Sequence, residues 1–559
     1  EEDKALINSS ITYLTEEELS DYITVFEERL NLTNRLVSLD INQKNELVAI
    51  AYDQALFYKG VILYSVMKWR SLMNAEKIKS PDLSEKQIVL RQLNSRYFNA
   101  ILAKDTVLVE ELNRKTKAMH KEIMNEYAIN LNLPNPSYKE VIQHLDKDAA
   151  AIEFVEYDSQ SASRINKRML GALILTQNSV NPDFIELCAQ DTLASMLMAK
   201  GMNKSESINT LYEADASIHS SAYELFWRPL EPYLKSKKKV FVSKSGILHR
   251  INIGAMQVNK NKTIADQYTI VNVNSTRDIL NWQDNKFDNI TGLLVGGISY
   301  DLNPIDSTAS VNDISMASNS HDSELRGLMH PSEDWTSLPG TIHEIDAISK
   351  LLSSKGFNYT VFEDTAATEL KIKEVGNKSP EETSPTLIHF STHGYFFPDK
   401  KEVTSSAIWK NEDPIFKTSE HPLIRSGLIL AGGNYAWKHG HPFKPGMEDG
   451  ILTAYEISQM DLSNTELVVL SACETGLGDI KGNEGVYGLQ RAFKIAGVKN
   501  LIMSLWKVPD AATAELMISF YKHWLEDKMT IRQALYTAQK ELRDDGFEPF
   551  YWAGWVLVE

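Results

Sequence analysis

Thr386-Leu-Ile-His-Phe-Ser-Thr-His393-Gly394 and, eighty positions further on, Leu467-Val-Val-Leu-Ser-Ala-Cys473-Glu-Thr-Gly476 are the two stretches whose reading decides the fold. Each is an apolar, β-branched and leucine-rich run that ends in a reactive side chain and then meets glycine. Such runs read as strands covered on both faces, the pattern of a parallel sheet. In an open α/β sheet the strand ends gather on one edge, where such folds place their sites. A thiol and an imidazole on one edge are the nucleophile and base of cysteine chemistry.

The rest of the chain gives that edge its setting. At 559 residues, 43% of them hydrophobic, the chain is long enough for several packed cores. A net charge of −17 argues against nucleic acid or an anionic membrane surface as the main partner. The basic cluster Lys235 to Lys239 reads as a solvated edge before a strand. No run of 18 apolar residues and no signal-like start is present, so a cytoplasmic protein without a membrane span is expected. The chain starts Glu1-Glu-Asp rather than with methionine, so an upstream segment is conceivable.

Cys188 and Cys473 are the two cysteines, a number that fits a reducing compartment better than a disulfide framework. There is no CxxC pair and no regular Cys/His spacing, so no structural zinc and no metal or other cofactor is expected. His439-Gly-His441 lacks a third and fourth ligand and reads as two surface histidines in a loop.

Residues 1–145 are helical in pattern, and the remainder alternates strands with helices. Thr15-Glu-Glu-Glu18 reads as a capping box opening a helix through Leu30. Asn45 to Leu72 carries Ala51, Ala55, Tyr58 and Ile62 as one apolar stripe of a long helix. Further helices are expected over Ser84 to Ala103 and Asp105 to Asn130, before Leu133-Pro-Asn-Pro136 breaks the pattern. No clear 34-residue period emerges, so tetratricopeptide repeats do not follow from periodicity.

Strands are expected at 149–157, 169–176, 239–243, 292–297, 358–362, 387–391, 427–431, 467–471, 501–505 and 555–558. Helices are expected at 341–355, 368–375, 484–496 and 511–526. This alternation predicts a mostly parallel central sheet with helices on both faces. Leu302 to Ser337 and Phe397 to Pro422 interrupt it as long loops, which in a compact domain are usually functional or disordered.

A free thiol has a pKa of about 8.5, so Cys473 needs a nearby imidazole or helix N-terminus to raise its thiolate fraction. His393 is positioned to exchange that proton. Gly394, following it, leaves a backbone N–H open to a substrate carbonyl, and with the N–H of Cys473 forms a plausible oxyanion hole. His389, on the same strand face as residues 391 and 393, reads as packing or support. Cys188 has no histidine near it in sequence and reads as inert. Taken singly, Cys473 and His393 are ordinary packed residues; their matched placement at two strand ends gives them weight.

His393-Gly394 and Ser471-Ala-Cys473-Glu-Thr-Gly476 resemble the two signature motifs of CHAT domains, caspase-like peptidases often fused to tetratricopeptide repeats and related to separases, caspases and gingipains. The resemblance runs over about residues 146–559. It includes Ala151-Ile-Glu-Phe-Val, Gly246-Ile-Leu-His-Arg-Ile, Leu338-Pro-Gly-Thr with Glu344, Ala367-Thr-Glu369, Asp449-Gly-Ile-Leu-Thr and Leu489-Gln-Arg-Ala-Phe-Lys-Ile-Ala-Gly497 followed by Ser504-Leu-Trp506.

The resemblance implies a caspase-like α/β fold over 146–559, divided at 286 into an N-terminal subdomain and a catalytic half, behind a helical region that is the end of a repeat array. It implies a cysteine endopeptidase in which Cys473 attacks, His393 protonates the leaving amine, and the amides of Gly394 and Cys473 hold the oxyanion. Trp506-Lys-Val-Pro-Asp510 resembles the separase segment in which an acidic residue reads a basic side chain ahead of the cut bond, so Asp510 and Trp506 are candidates for that pocket. Pro509-Asp510-Ala-Ala-Thr also reads as a helix start with Asp510 as N-cap. The expected partners are a protein substrate and an activator docking on the N-terminal helices, in bacterial defence or signalling. The alternative is a catalytically silent caspase-like scaffold. A GxSxG elbow and a GxxxxGK[ST] loop are both missing, which removes a serine α/β hydrolase and a P-loop nucleotide site.

Overall fold

Alternation along the strand Ala149–Asp158 (β1) divides its side chains between two cores. Ala150, Ile152 and Phe154 face one, and Ala149, Ala151, Val155 and Tyr157 face another shared with Val48, Tyr52 and Leu56 of the N-terminal helices. The helical region is therefore one wall of the first sheet's core.

The computed structural model describes residues 2–11, 14–39, 45–77, 80–127, 131, 133–159, 167–197, 202–213, 221–283, 289–301, 334–375, 383–399, 414–444, 446–472 and 475–559. Cys473 and Glu474 lie outside the described residues, as do most of the two long loops noted above, at 302–333 and 400–413.

Seven helices come first: α1 (Glu2–Ile11), α2 (Glu16–Leu39), α3 (Asn45–Tyr58), α4 (Val61–Lys77), α5 (Pro81–Leu102), α6 (Thr106–Glu126) and α7 (Tyr138–His144). Helix α2 outruns its expected end at Leu30 because Leu30, Asn34 and Val37 continue the buried stripe begun by Leu19, Ile23 and Phe26. The single helix expected over 45–72 is two. The chain breaks at Gly60, whose φ of +61° is left-handed backbone open to glycine, and the Gly60 amide donates to Asn483 O at 2.8 Å. Among the described residues no single helix is long and apolar enough to cross a membrane. The pair Glu46–Tyr58 and Val61–Asn74 passes that test only together, bent by 44°, and its Tyr52, Leu56 and Val61 are core residues at 0% exposure.

Two main sheets follow, where the sequence led us to expect one. The first joins β1, β2 (Arg168–Thr176), β3 (Asp183–Ala189), β4 (Lys239–Ser243) and β5 (Thr269–Val273) in the order β3-β2-β1-β4-β5. Its β3-β2-β1 part is antiparallel and its β1-β4-β5 part parallel. Helices α8 (Gln190–Leu197) and α9 (Lys204–Tyr212) lie between β3 and β4 in the chain.

The second sheet is built from β6 (Thr291–Ile298), β7 (Asn358–Asp364) and β8 (Leu387–Ser391). After β8 come β9 (Gly394–Phe396), β10 (Ser426–Ile429) and β11 (Ile451–Thr453), which form a small antiparallel sheet of their own. Next are β12 (Leu467–Ser471), the hairpin β13 (Gly478–Lys481) and β14 (Gly485–Gly488), then β15 (Asn500–Ser504) and β16 (Trp555–Val558). The six-stranded order is β16-β15-β12-β8-β6-β7, parallel throughout except for the C-terminal edge strand β16. Asn272 on β5 donates to Leu557 O at 3.1 Å, which joins the two sheets edge to edge.

Helices α10 (Pro339–Ser354) and α13 (Asp510–Leu525) cover one face of the six-stranded sheet, and α12 (Leu489–Ala496) covers the other, with Phe493 against Phe390. Between α10 and α12 the short α11 (Glu369–Lys373) starts on a Thr368 cap, and after α13 runs α14 (Ile531–Asp544). The helix expected from Glu484 begins only at Leu489. Residues 485–488 are strand because Gly488 lies too close to Leu477 O for a side chain, and the two glycine-containing segments pair.

Candidate functional site

Strands β8 and β12 lie side by side, in parallel and in register, with Ser391 opposite Ser471. His393 and Cys473 are each two residues beyond that last matched pair. Cys473 is outside the described residues, but both of its flanks are fixed to the end of β15. Ala472 O accepts from the Ser504 hydroxyl at 2.8 Å, the Gly476 amide donates to Ser504 O at 2.7 Å, and the Ser504 amide donates to Thr475 Oγ1 at 3.3 Å. Gly476 has to be glycine, because a Cβ would sit 2.9 Å from Ser504 O.

The His393 imidazole is 9% exposed and wedged between the rings of Tyr300 and Trp335, at centroid distances of 5.0 and 4.9 Å. Its Nε2 lies 2.7 Å from Thr336 O. A carbonyl only accepts, so Nε2 carries the proton and Nδ1 is the basic nitrogen. Burial pushes the imidazole down to about 4, with the Thr336 carbonyl opposing and the Lys507 ammonium adding to the shift. Sequence reading assigned no group to orient this histidine. The orienting group is a backbone carbonyl, which leaves no residue-type signal.

Gly394 opens β9. The ladder to β10 makes its bonds at Ile429 N to His393 O and Phe397 N to Arg425 O, so residues 393, 395 and 397 are the hydrogen-bonded positions. Gly394 falls between them, and its N–H points to the outer edge of β9, away from β10.

Asp510 is not the N-cap of α13. Pro509 holds that position, and Asp510 Oδ2 accepts the Gly340 amide at 2.6 Å, capping α10 across the fold. Gly340 leaves room for it, since a Cβ there would come within 2.5 Å of that carboxylate. Burial, the largest influence, raises the Asp510 carboxyl above its ordinary range, with Glu344 adding and the Gly340 bond opposing. Trp506 is 2% exposed, donates Nε1–H to Phe550 O at 2.8 Å and packs on Tyr212, a core placement.

Beneath the site, Glu344 of α10 accepts from the Ser391 hydroxyl at 2.7 Å and lies 3.0 Å from His389 Nε2, while His389 Nδ1 meets Tyr521 OH at 3.1 Å. This fully buried group is the support expected of His389. Cys188 is buried in β3, and burial pushes its thiol up to about 11, the inert state expected of it. His439 and His441 are exposed, as expected. The carboxylates of Glu369, Glu448 and Glu456 converge on Lys373 Nζ at 3.2, 2.8 and 3.0 Å, one ammonium for three acids, and burial together with the acidic neighbours raises the Glu369 carboxyl well above its ordinary range. Ala367-Thr-Glu369 and Asp449-Gly450, distant in sequence, meet here, with Glu369 Oε2 accepting the Gly450 amide at 2.9 Å.

The architecture is thus an α/β chain in which two adjacent parallel strands lead in the sequence to His393 and to Cys473, behind a helical N-terminal region. The chain belongs to the CHAT domain family, whose profile matches residues 218–559, more than half its length. It is similar to tetratricopeptide repeat protein 28 of Mus musculus and of Homo sapiens, 30% identical over 117 residues and 31% over 116. Each match covers 20% of this chain and only 5% of the relative. Among solved structures it is similar to the complex of the pro- and mature domains of Porphyromonas gingivalis RgpB, with 12% identity, 66% of this chain and 74% of that one covered, and a TM-score of 0.33. It is also similar to the Saccharomyces cerevisiae separase–securin complex, with 10% identity, 98% and 37% covered, and a TM-score of 0.39.

Proposed function

We propose that the chain is a cysteine endopeptidase acting on a protein substrate. The observation that carries this reading is the in-register pair Ser391 and Ser471 on adjacent parallel strands, each two positions before His393 and Cys473 in the chain. Cys473 Sγ gives its proton to His393 Nδ1 and attacks the scissile carbonyl carbon. The Gly394 N–H, aimed off the edge of β9, and the Cys473 N–H hold the resulting oxyanion; loss of one such donor costs about 10²- to 10³-fold in rate. Nδ1 returns the proton to the leaving amine, and water then hydrolyses the thioester. Thr336 O keeps Nε2–H engaged throughout, so Nδ1 does both transfers.

Asp510, half-buried beside α10, is the acid we assign to a basic side chain ahead of the cut bond, with Trp506, buried in the core four positions before it, as the second residue of that segment. A cation arriving there would favour the ionised carboxylate and so offset the effect of burial, which raises the Asp510 carboxyl. Activity is set by a partner that docks on the helical region.

Incubation with a peptide library, read by mass spectrometry, tests this reading. Wild type cuts, and Cys473→Ala and His393→Ala do not. Cleavage persisting in Cys473→Ala would overturn the mechanism. In the same assay Asp510→Asn loses the preference for Arg or Lys at the cut; an unchanged preference with lower stability would leave Asp510 as the cap of α10 alone.

A further inference from the structure

The hairpin β13–β14 begins at Gly478, five positions after Cys473 in the chain, and touches three separate parts of the molecule. At its base, Gly478 and Gly488 pair with no room for side chains, and Gly476 is bound to Ser504. Along its length, Asp479 forms a buried ion pair with Arg425. Arg425 Nη1 also donates to Phe397 O at 2.9 Å and Arg425 O accepts the Phe397 amide at 2.8 Å, so the pair grips the end of the strand that begins at Gly394. At its tip, Asn483 O accepts the Gly60 amide, and Glu484 accepts the first amides of α4, Ile62 N and Leu63 N, at 2.9 and 3.3 Å. Arg491 then joins Glu484 to Glu16 at the start of α2.

We infer that the β13–β14 hairpin is the link through which the helical region acts on the reactivity of Cys473, by way of its flank at Thr475 and Gly476, with Asp479, Arg425 and Glu484 as positioning residues. The inference rests on Cys473 being the nucleophile. A charged group at the N-terminus of α4 follows that helix, because two backbone donors and the helix dipole hold it there. Movement of α2 or α4 therefore pulls on residues 482–484. The chain from there to the cysteine flank at Thr475 is a short paired ribbon, and Asp479, halfway along, carries the same displacement to Arg425 and β9. The tip also bears on α2 itself: Gly482 and Asn483 line a cavity of about 200 Å³ with Glu27 and Arg168, and a Cβ on Gly482 would come within 2.5 Å of Glu27 Oε1.

The experiment is the rate of iodoacetamide alkylation of Cys473 in the full chain against pH, read by mass spectrometry, for wild type, Asp479→Asn and Glu484→Ala. Cys188, buried and inert in the folded chain, stays unalkylated unless a variant unfolds, and so reports on the fold. Both variants are expected to slow Cys473 alkylation by about fivefold and to raise its pH midpoint, the size of effect of substitutions along a coupled network, with Cys188 unchanged. Glu16→Gln, at a half-exposed position, loosens Arg491 alone and gives the same reading should Glu484→Ala not fold. Folded variants with wild-type rate and midpoint at Cys473 would overturn the inference. Alkylation needs no substrate, so a chain that cuts no peptide still answers the question of coupling.

Discussion

His393 combines two properties that pull apart: an Nε2–H committed to Thr336 O and a ring too buried to hold charge easily. An imidazole in that state is neutral at physiological pH, the form that the proposed mechanism requires of its base. Protonation inactivates it, and its folded value is about 4, so peptide cleavage is expected to persist on lowering the pH through the ordinary histidine range and to fall only as pH drops through about 4. Lys507→Glu removes a repulsion and supplies an attraction, so it shifts that acid limb upward. The pH profile of kcat/KM checks both statements, and a wild-type limb at the ordinary histidine value of about 6.5 would contradict the first. Histidine and cysteine were legible as residues because strand patterns end on them. Thr336 was not, since its contribution is a carbonyl delivered by chain path. Asp510 was legible as a cap, but the helix it caps is α10, 170 positions away in sequence.

Elements were legible wherever a period runs unbroken. Strands β8 and β12 appear over the very residues expected, 387–391 and 467–471. Periodicity failed where one glycine reverses the backbone without disturbing the apolar stripe, as at Gly60. Ala51, Ala55, Tyr58 and Ile62 are all buried, yet the helix axis breaks between the last two. Gly60→Ala would meet nothing nearer than 3.8 Å, so its cost is backbone strain alone. A loss of about 1–2 kcal/mol is expected for one residue held left-handed, measured by denaturant unfolding. Short strands such as Gly394–Phe396 and Gly485–Gly488 escaped notice for a different reason: three or four residues carry too little alternation to stand out from a loop.

At the scale of the whole molecule, the helical region and the first sheet are bound together through buried charge. Lys59 Nζ lies 2.8 Å from Glu153 Oε2, both groups essentially unexposed, and Arg277 donates to the carbonyls of Leu56, Phe57, Lys59 and Gly60 at the end of α3. Burial pushes the Glu153 carboxyl up, but the Lys59 ammonium and the Thr276 amide together hold it below the ordinary range. Glu153→Gln leaves Lys59 buried without its counter-charge and is expected to cost about 3–5 kcal/mol in denaturant unfolding. Lys59→Met with Glu153→Gln should recover most of that loss, and a double variant no more stable than the single would argue against the ion pair as the cause. For the same reason, excising residues 1–145 removes a wall of the first sheet along with any docking surface.

Sequence by itself determined strands such as β8 and β12, the reactive residues that follow them and the glycines beyond, because these depend on local period and residue type. Only the tertiary structure decided that the α/β part divides into two sheets, that a carbonyl from residue 336 sets the histidine tautomer, and that Glu484 ties the helical region to the turn beyond Ser471. Those contacts join residues tens to hundreds of positions apart, and hydrogen bonds to backbone atoms or buried ion pairs leave no mark on the spacing of the residues that make them.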